Sequence, residues 1–111
     1  MASLSTHVLD TASGRPAASV AVDLDVCGAE RRRLETLVTG ADGRATGPEL
    51  DSGIYELTFH AGDYFRAVGL ALPDPPFLDR VVVRFGVAAG ERHYHVPLLL
   101  SPYGYSTYRG S

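Results

Sequence analysis

Apolar and polar residues alternate along several short stretches of this chain, as in β-strands that bury one face. The clearest alternation places Val20, Val22, Leu24 and Val26 on one side of an extended segment. The positions between them include acidic residues, so this stretch predicts a strand with one buried face and one solvent-exposed face.

Similar patterns predict further strands, separated by glycine and proline turn signals. The predicted strands cover residues 3–10, 32–39, 54–60, 78–87, 91–100 and 103–108, with a short edge strand at Arg44. Residues 62–69 are the one helical candidate, capped by Asp63 and ended by Gly69. Seven or eight short strands with one short helix predict an all-β fold, a two-sheet antiparallel β-sandwich.

Composition narrows the class of protein without identifying it. The chain has 111 residues, enough for a single domain over residues 1–111. Its net charge of -3 argues against a nucleic-acid or anionic-membrane partner. The single cysteine, Cys27, allows no intrachain disulfide and no cysteine-based zinc site. The N-terminus lacks the basic start and apolar run of a signal peptide, so a cytoplasmic protein is expected.

Strand parity puts two histidines on faces that do not belong to the core. In the segment 91–100, Tyr94 and Val96 occupy the alternating positions that face the core (core parity), whereas His93 and His95 occupy the positions that face away from it. His7 likewise lies opposite the apolar face of the first predicted strand. For an arbitrary sandwich, the simpler interpretation of His7 and His95 is that both are solvated surface residues. We keep this interpretation for His93 and His60.

No short catalytic motif is present on which to build a function. The chain has no G-x-S-x-G elbow, no phosphate-binding loop and no H-E-x-x-H helix. Arg44 follows an Asp-Gly turn, and Tyr108 to Ser111 form a terminus rich in hydrogen-bonding groups that we expect to be docked. The residues alone therefore predict only a β-sandwich with a His, Arg and Ser site.

Two longer segments carry a resemblance to a known family. Thr6 to Thr11 (THVLDT), followed by Gly14 to Ala17 (GRPA), resembles the opening motif of the 5-hydroxyisourate hydrolases, the transthyretin-related enzymes of urate breakdown. Leu99 to Ser111 (LLSPYGYSTYRGS) resembles their C-terminal signature. The resemblance covers nearly the whole chain. Its most specific part is the terminal YRGS, because the hormone carrier transthyretin shares SPYxYST but lacks this final tetrapeptide.

The resemblance implies a transthyretin-like sandwich that dimerises through edge strands and then forms a homotetramer, a dimer of dimers. One sheet would line a channel between dimers with its outer face. The implied catalytic residues are His7, Arg44, His95 and Ser111. The implied substrate-binding residues are His7, Arg44, Tyr108, Arg109 and Gly110. The resemblance implies no metal and no cofactor.

The implied reaction is hydrolysis of 5-hydroxyisourate to 2-oxo-4-hydroxy-4-carboxy-5-ureidoimidazoline. The alternative is a transthyretin-like carrier that binds a small aromatic ligand, such as thyroxine, in the same channel. Against the carrier, transthyretin has Lys, Glu and Thr at the positions of His7, Arg44 and His95. A plain β-sandwich interaction domain is a weaker alternative, since it gives these residues no role.

Overall fold

The computed structural model describes residues 1–111 and contains nine strands and one short helix. The strands are β1 (Ser3–Asp10), β2 (Arg15–Pro16), β3 (Ala21–Cys27), β4 (Arg31–Val38), β5 (Arg44–Thr46), β6 (Gly53–Phe59), β7 (Val81–Val87), β8 (His93–Ser101) and β9 (Gly104–Thr107). The helix α1 (Ala61–Ala67) lies between β6 and β7. It is too short to cross a membrane.

The strands form two sheets, which confirms the predicted sandwich. Sheet 1 has the order β2-β1-β8-β9, with β5 also pairing with β1, and sheet 2 has the order β4-β3-β6-β7. Every pairing is antiparallel except that of β1 with β8, which run parallel. The alternation of apolar and polar residues along one strand does not show in which direction the neighbouring strand runs. The parallel pairing of β1 with β8 therefore could not be predicted from the sequence pattern.

A single cluster of 22 buried apolar residues forms the core. The alternating positions of the strands supply most of it, as predicted. The large side chains that are almost completely buried include Leu4, Val8, Val22, Leu24, Leu57, Phe59, Leu98 and Leu100. Each is worth ~1.5–3 kcal/mol through burial. Because this cluster fixes which face of β1 and β8 is inside, it also fixes which residues these strands display outside.

The second face of β3 is covered, so the prediction of a solvent-exposed face was wrong. Asp23 is 9% exposed and Asp25 only 3%. Arg31 and Arg33 reach over from β4, and Nη2 of Arg31 lies 2.7 Å from Oδ2 of Asp25. Long arginine side chains cover neighbouring surface while their charged ends stay near water.

Acid should destabilise the protein through this ion-pair cluster. Burial by itself would raise the pKa of Asp25, but hydrogen bonds from Arg33 and Arg31 outweigh it and hold the pKa below its usual range. The resulting stabilisation is complete above the unfolded pKa of ~3.9 and is lost as pH falls through the lower folded value. The midpoint of thermal unfolding, followed by circular dichroism, should therefore fall steeply below about pH 4.

Two arginine variants separate this effect from general charge effects. Arg33→Ala should lower the midpoint at neutral pH by several degrees and weaken its fall in acid, because Asp25 loses a hydrogen-bond donor. Arg32→Ala removes an exposed neighbour on the same strand and should change little. If both variants lowered the midpoint of thermal unfolding equally, the acid sensitivity could not be assigned to the ion pairs of Asp25.

Two predicted boundaries were wrong for reasons visible in the fold. Asp63 does not cap α1; the N-cap is His60, without a side-chain hydrogen bond, and Asp63 lies in the first turn. Strand β7 begins at Val81 rather than at residue 78. The carbonyl of Asp79 accepts a hydrogen bond from the N–H of Gly62, so the residues before β7 hold the start of α1 instead of extending the sheet.

Candidate active site

The outer face of sheet 1 brings His7 and His95 together. Strands β1 and β8 are adjacent, and His7 lies opposite Pro97 while His95 lies opposite Ser5. The two histidines are therefore diagonal neighbours on one face, at a spacing across which long side chains interact. Both are half-buried. The prediction that they point away from the core is confirmed.

Strand β5 places Arg44 beside His7. The two residues are direct partners in the antiparallel pairing of β1 with β5. The preceding residue must be glycine, because Gly43 has a φ of +77° and a Cβ there would lie 2.5 Å from the carbonyl oxygen of Val8 and 3.2 Å from Cδ2 of His7. The backbone N–H of Arg44 donates to Oδ1 of Asp42, at 3.0 Å. The Asp-Gly turn thus sets the position of the arginine against the histidine.

The C-terminal segment docks beside His95. The backbone N–H of Gly110 donates to the carbonyl of His95 at 2.7 Å, which forms a bridge beyond the end of β9. A Cβ at position 110 would lie 2.5 Å from Cδ2 of the His95 ring. Only glycine fits against the imidazole in this arrangement. The expectation of a docked terminus is confirmed.

Arg109 anchors this segment. Its guanidinium carbon lies 4.2 Å from the centre of the Tyr94 ring, and its Nη2 donates to the carbonyl of His93 at 3.0 Å. Tyr94 has core parity, so the guanidinium lies away from the histidine face. The assignment of Arg109 to substrate binding stays a prediction. Tyr108 and Ser111 are both exposed in the protomer.

Sequence reasoning gave no role to two residues of this face. His93 lies two positions before His95 on β8, and its ring nitrogens lie near the hydroxyls of Ser3 and Ser5. The Ser5 hydroxyl also lies 2.8 Å from Nδ1 of His95. The alternation that selected His7 and His95 applies equally to Ser5 and His93, so the signal was present. By contrast Nε2 of His60 lies 2.7 Å from Oδ2 of Asp23, on a strand of sheet 2.

The electrostatic environment favours a neutral His95. Partial burial lowers the pKa of His95, and the positive charge of Arg44 lowers it further, as would a proton on His7 or His93. A neutral imidazole has one bare nitrogen and can accept a proton at neutral pH. No group of three or more His, Cys, Asp or Glu side chains is arranged to hold a metal ion.

Known proteins resemble this chain along its whole length. The model of the HIUase/Transthyretin family matches residues 4–110. The 5-hydroxyisourate hydrolase 2 of Rhizobium meliloti is 58% identical, over 97% of this chain and 95% of its own length. The solved 5-hydroxyisourate hydrolase of Klebsiella pneumoniae is 41% identical with a TM-score of 0.84, over 100% of both chains. Sea bream transthyretin, solved in complex with thyroxine, is 32% identical with a TM-score of 0.86, over 96% of this chain and 93% of its own.

Proposed function

The chain belongs to the HIUase/transthyretin family, and on that premise we propose that it hydrolyses 5-hydroxyisourate in urate breakdown. The amide bond between N1 and C6 is cleaved, and the six-membered ring opens to 2-oxo-4-hydroxy-4-carboxy-5-ureidoimidazoline. The observation that carries the proposal is the grouping of His7, Arg44 and His95 on one open face, with Gly110 docked against the last of them.

Hydrolysis of a cyclic amide needs a base for water and an acid for the leaving nitrogen. His7 and His95 share these two tasks. The lowered pKa of His95 suits it to accept a proton at neutral pH. Water attacks C6, a proton passes from the water to a histidine, and the departing N1 receives a proton as the C6–N1 bond breaks.

The negative charge that develops on the C6 oxygen needs a positioned donor. Arg44 supplies a planar guanidinium beside His7, which matches the paired carbonyl oxygens of a urate-like ring. Tyr108 and Ser111 hydrogen-bond the substrate or the attacking water. Arg109 and Gly110 hold the tail so that these groups close the site.

The proposed catalytic unit is a homotetramer. Small-molecule sites usually bury most of their ligand, whereas this face is open in the protomer. At one end of the face the polar residues give way to the half-buried Leu9 and Leu99, which suit contact with a second copy. Strands β7 and β9 both end their sheets with a free edge, which suits pairing into dimers. Two dimers then meet through the outer faces of sheet 1. The proposal places the protein in the cytoplasm.

Breaking this contact should abolish activity without unfolding the sandwich. Leu99→Arg puts a charge into the apolar end of the face, and burial of an unpaired charge at an interface is strongly unfavourable. We expect dimers by light scattering, an unchanged circular dichroism spectrum and at least a ~100-fold loss of kcat/KM, the scale expected when a catalytic group is misplaced.

Leu70→Arg is the matched control. Leu70 is 41% exposed and follows α1, outside the strands of sheet 1; it lines a cavity with Asp10 and Arg15. It should leave the assembly and the activity unchanged. A fully active Leu99→Arg dimer would contradict a site shared between subunits.

A ligand carrier is the second candidate, favoured by the likeness to a transthyretin solved with thyroxine. Both activities can be measured on one preparation. The ultraviolet absorbance of freshly made 5-hydroxyisourate reports its decay, and titration calorimetry reports thyroxine binding. Accelerated decay supports the hydrolase. Tight thyroxine binding with decay at the spontaneous rate would favour the carrier instead.

A further inference from the structure

A chain of hydroxyls and imidazoles runs along the outer face of sheet 1. The Ser5 hydroxyl lies 2.8 Å from Nδ1 of His95 and 3.4 Å from Nε2 of His93. The other ring nitrogen of His93, Nδ1, lies 2.5 Å from the Ser3 hydroxyl. The Ser3 hydroxyl in turn lies 3.4 Å from the carbonyl oxygen of Arg92. The direct pairing of Ser3 with His93 and of Ser5 with His95 across β1 and β8 holds the four side chains in line.

The carbonyl at the end of this chain offers an acceptor for one of its two possible directions. A carbonyl oxygen only accepts, so in one direction of the chain the Ser3 hydroxyl donates to the Arg92 carbonyl, which also accepts the Ser3 backbone N–H at 2.9 Å, and Ser3 accepts from Nδ1–H of His93. A neutral imidazole carries one proton, so Nε2 of His93 is bare and accepts from the Ser5 hydroxyl. The Ser5 proton is then committed to His93.

The last step concerns His95. In this direction Ser5 has no second proton, so it accepts from His95, and the proton of the neutral His95 lies on Nδ1. Its Nε2 is then bare. Without this constraint the ring could carry its proton on either nitrogen, and only one of the two forms leaves Nε2 able to take a proton.

We propose that Ser5 and His93 are positioning residues, which hold neutral His95 with its proton on Nδ1 and its bare Nε2 free to take a proton from water. The catalytic consequence rests on the proposed hydrolase function. It assigns water activation to His95 and leaves proton delivery to the departing nitrogen to His7. After attack the proton from water is on Nε2 of His95, and the positive imidazolium keeps its hydrogen bond to Ser5.

The protonated nitrogen of each histidine can be observed directly. The full chain, labelled with 15N-histidine, is examined by long-range proton–nitrogen correlation at about pH 8.5, well above the ordinary histidine pKa of ~6.5. His93→Phe and His95→Phe assign the signals. We expect Nδ1–H for both His93 and His95. This measurement does not depend on activity.

Three serine variants connect the protonation state to catalysis. Ser5→Ala should move the His95 proton toward Nε2 and lower kcat about 10- to 100-fold, with KM changed less than about twofold, as expected for a residue that orients a catalytic group. Ser5→Thr keeps the hydroxyl and should retain both the Nδ1–H form and the rate. Ser52→Ala, at an exposed bend before β6, should change neither.

The outcomes separate this inference from the proposed function. Nε2–H on His95 in the unmodified chain overturns the inference, and so does a Ser5→Ala variant with unchanged kcat. Nδ1–H on His95 in a chain that lacks hydrolase activity upholds the hydroxyl–imidazole network and overturns the proposed function. If Ser5→Ala does not fold, the measurement on the unmodified chain and on Ser5→Thr decides.

Discussion

Replacing His95 by alanine should lower kcat for ring opening by ~10²–10⁴-fold, the range of a single general acid or base. The expected loss follows from the position of His95, half-buried between Ser5 and the docked Gly110, and from its lowered pKa. His7→Ala should cause a loss of the same order. Both substitutions affect the outer face of sheet 1, not the core, so the fold and the proposed tetramer should persist.

Stopped-flow absorbance with freshly made substrate measures the two rates, and light scattering checks the assembly. His60→Ala is the matched control, because the His60 ring hydrogen-bonds with Asp23 of sheet 2 and has no place in the site. It should affect stability more than kcat. Near-full activity of both His7→Ala and His95→Ala would rule out the proposed mechanism.

Adding one methyl group at position 110 should lower kcat/KM about 100-fold, because displacements near 1 Å can cost that much. In Gly110→Ala the new Cβ would lie 2.5 Å from Cδ2 and 3.2 Å from Cγ of the His95 ring, so either the ring or the tail must move. The segment follows the last strand, and the three atoms nearest to the new Cβ all belong to His95, which lies outside the core. The midpoint of thermal unfolding should therefore change little.

Gly104→Ala provides the matched control in the same C-terminal region. A Cβ at position 104 meets nothing closer than the Ser101 hydroxyl, at 3.8 Å. This variant should keep near-full activity. The steric account of Gly110 fails if the two variants have the same rate.

The parts of the fold that the sequence predicted depend on local alternation. The faces of His7 and His95 followed from strand parity, since every second residue points to the same side whatever the strand pairs with. The bounds of β1 were predicted correctly for the same reason. The short edge strand at Arg44 followed from the Asp-Gly turn before it.

The parts that it did not predict depend on contacts between distant segments. The burial of Asp25 needs arginines from β4, and the position of Arg109 over Tyr94 needs the tail to fold back along β8. The importance of Ser5 appeared only when the pairing of β1 with β8 put it between two histidines. Parity had placed His93 on the same face as His95 but gave no reason to separate it from a solvated surface residue.

The most direct test of the central claim compares two chains on one substrate. The first is the full chain, and the second ends at Thr107, the last residue of β9, and so lacks Tyr108 to Ser111. 5-Hydroxyisourate, made from urate with urate oxidase, is added to each, and its ultraviolet decay is followed. We predict faster decay than the spontaneous rate with the full chain only. Decay at the spontaneous rate in the presence of the folded, assembled full chain would contradict the hydrolase function.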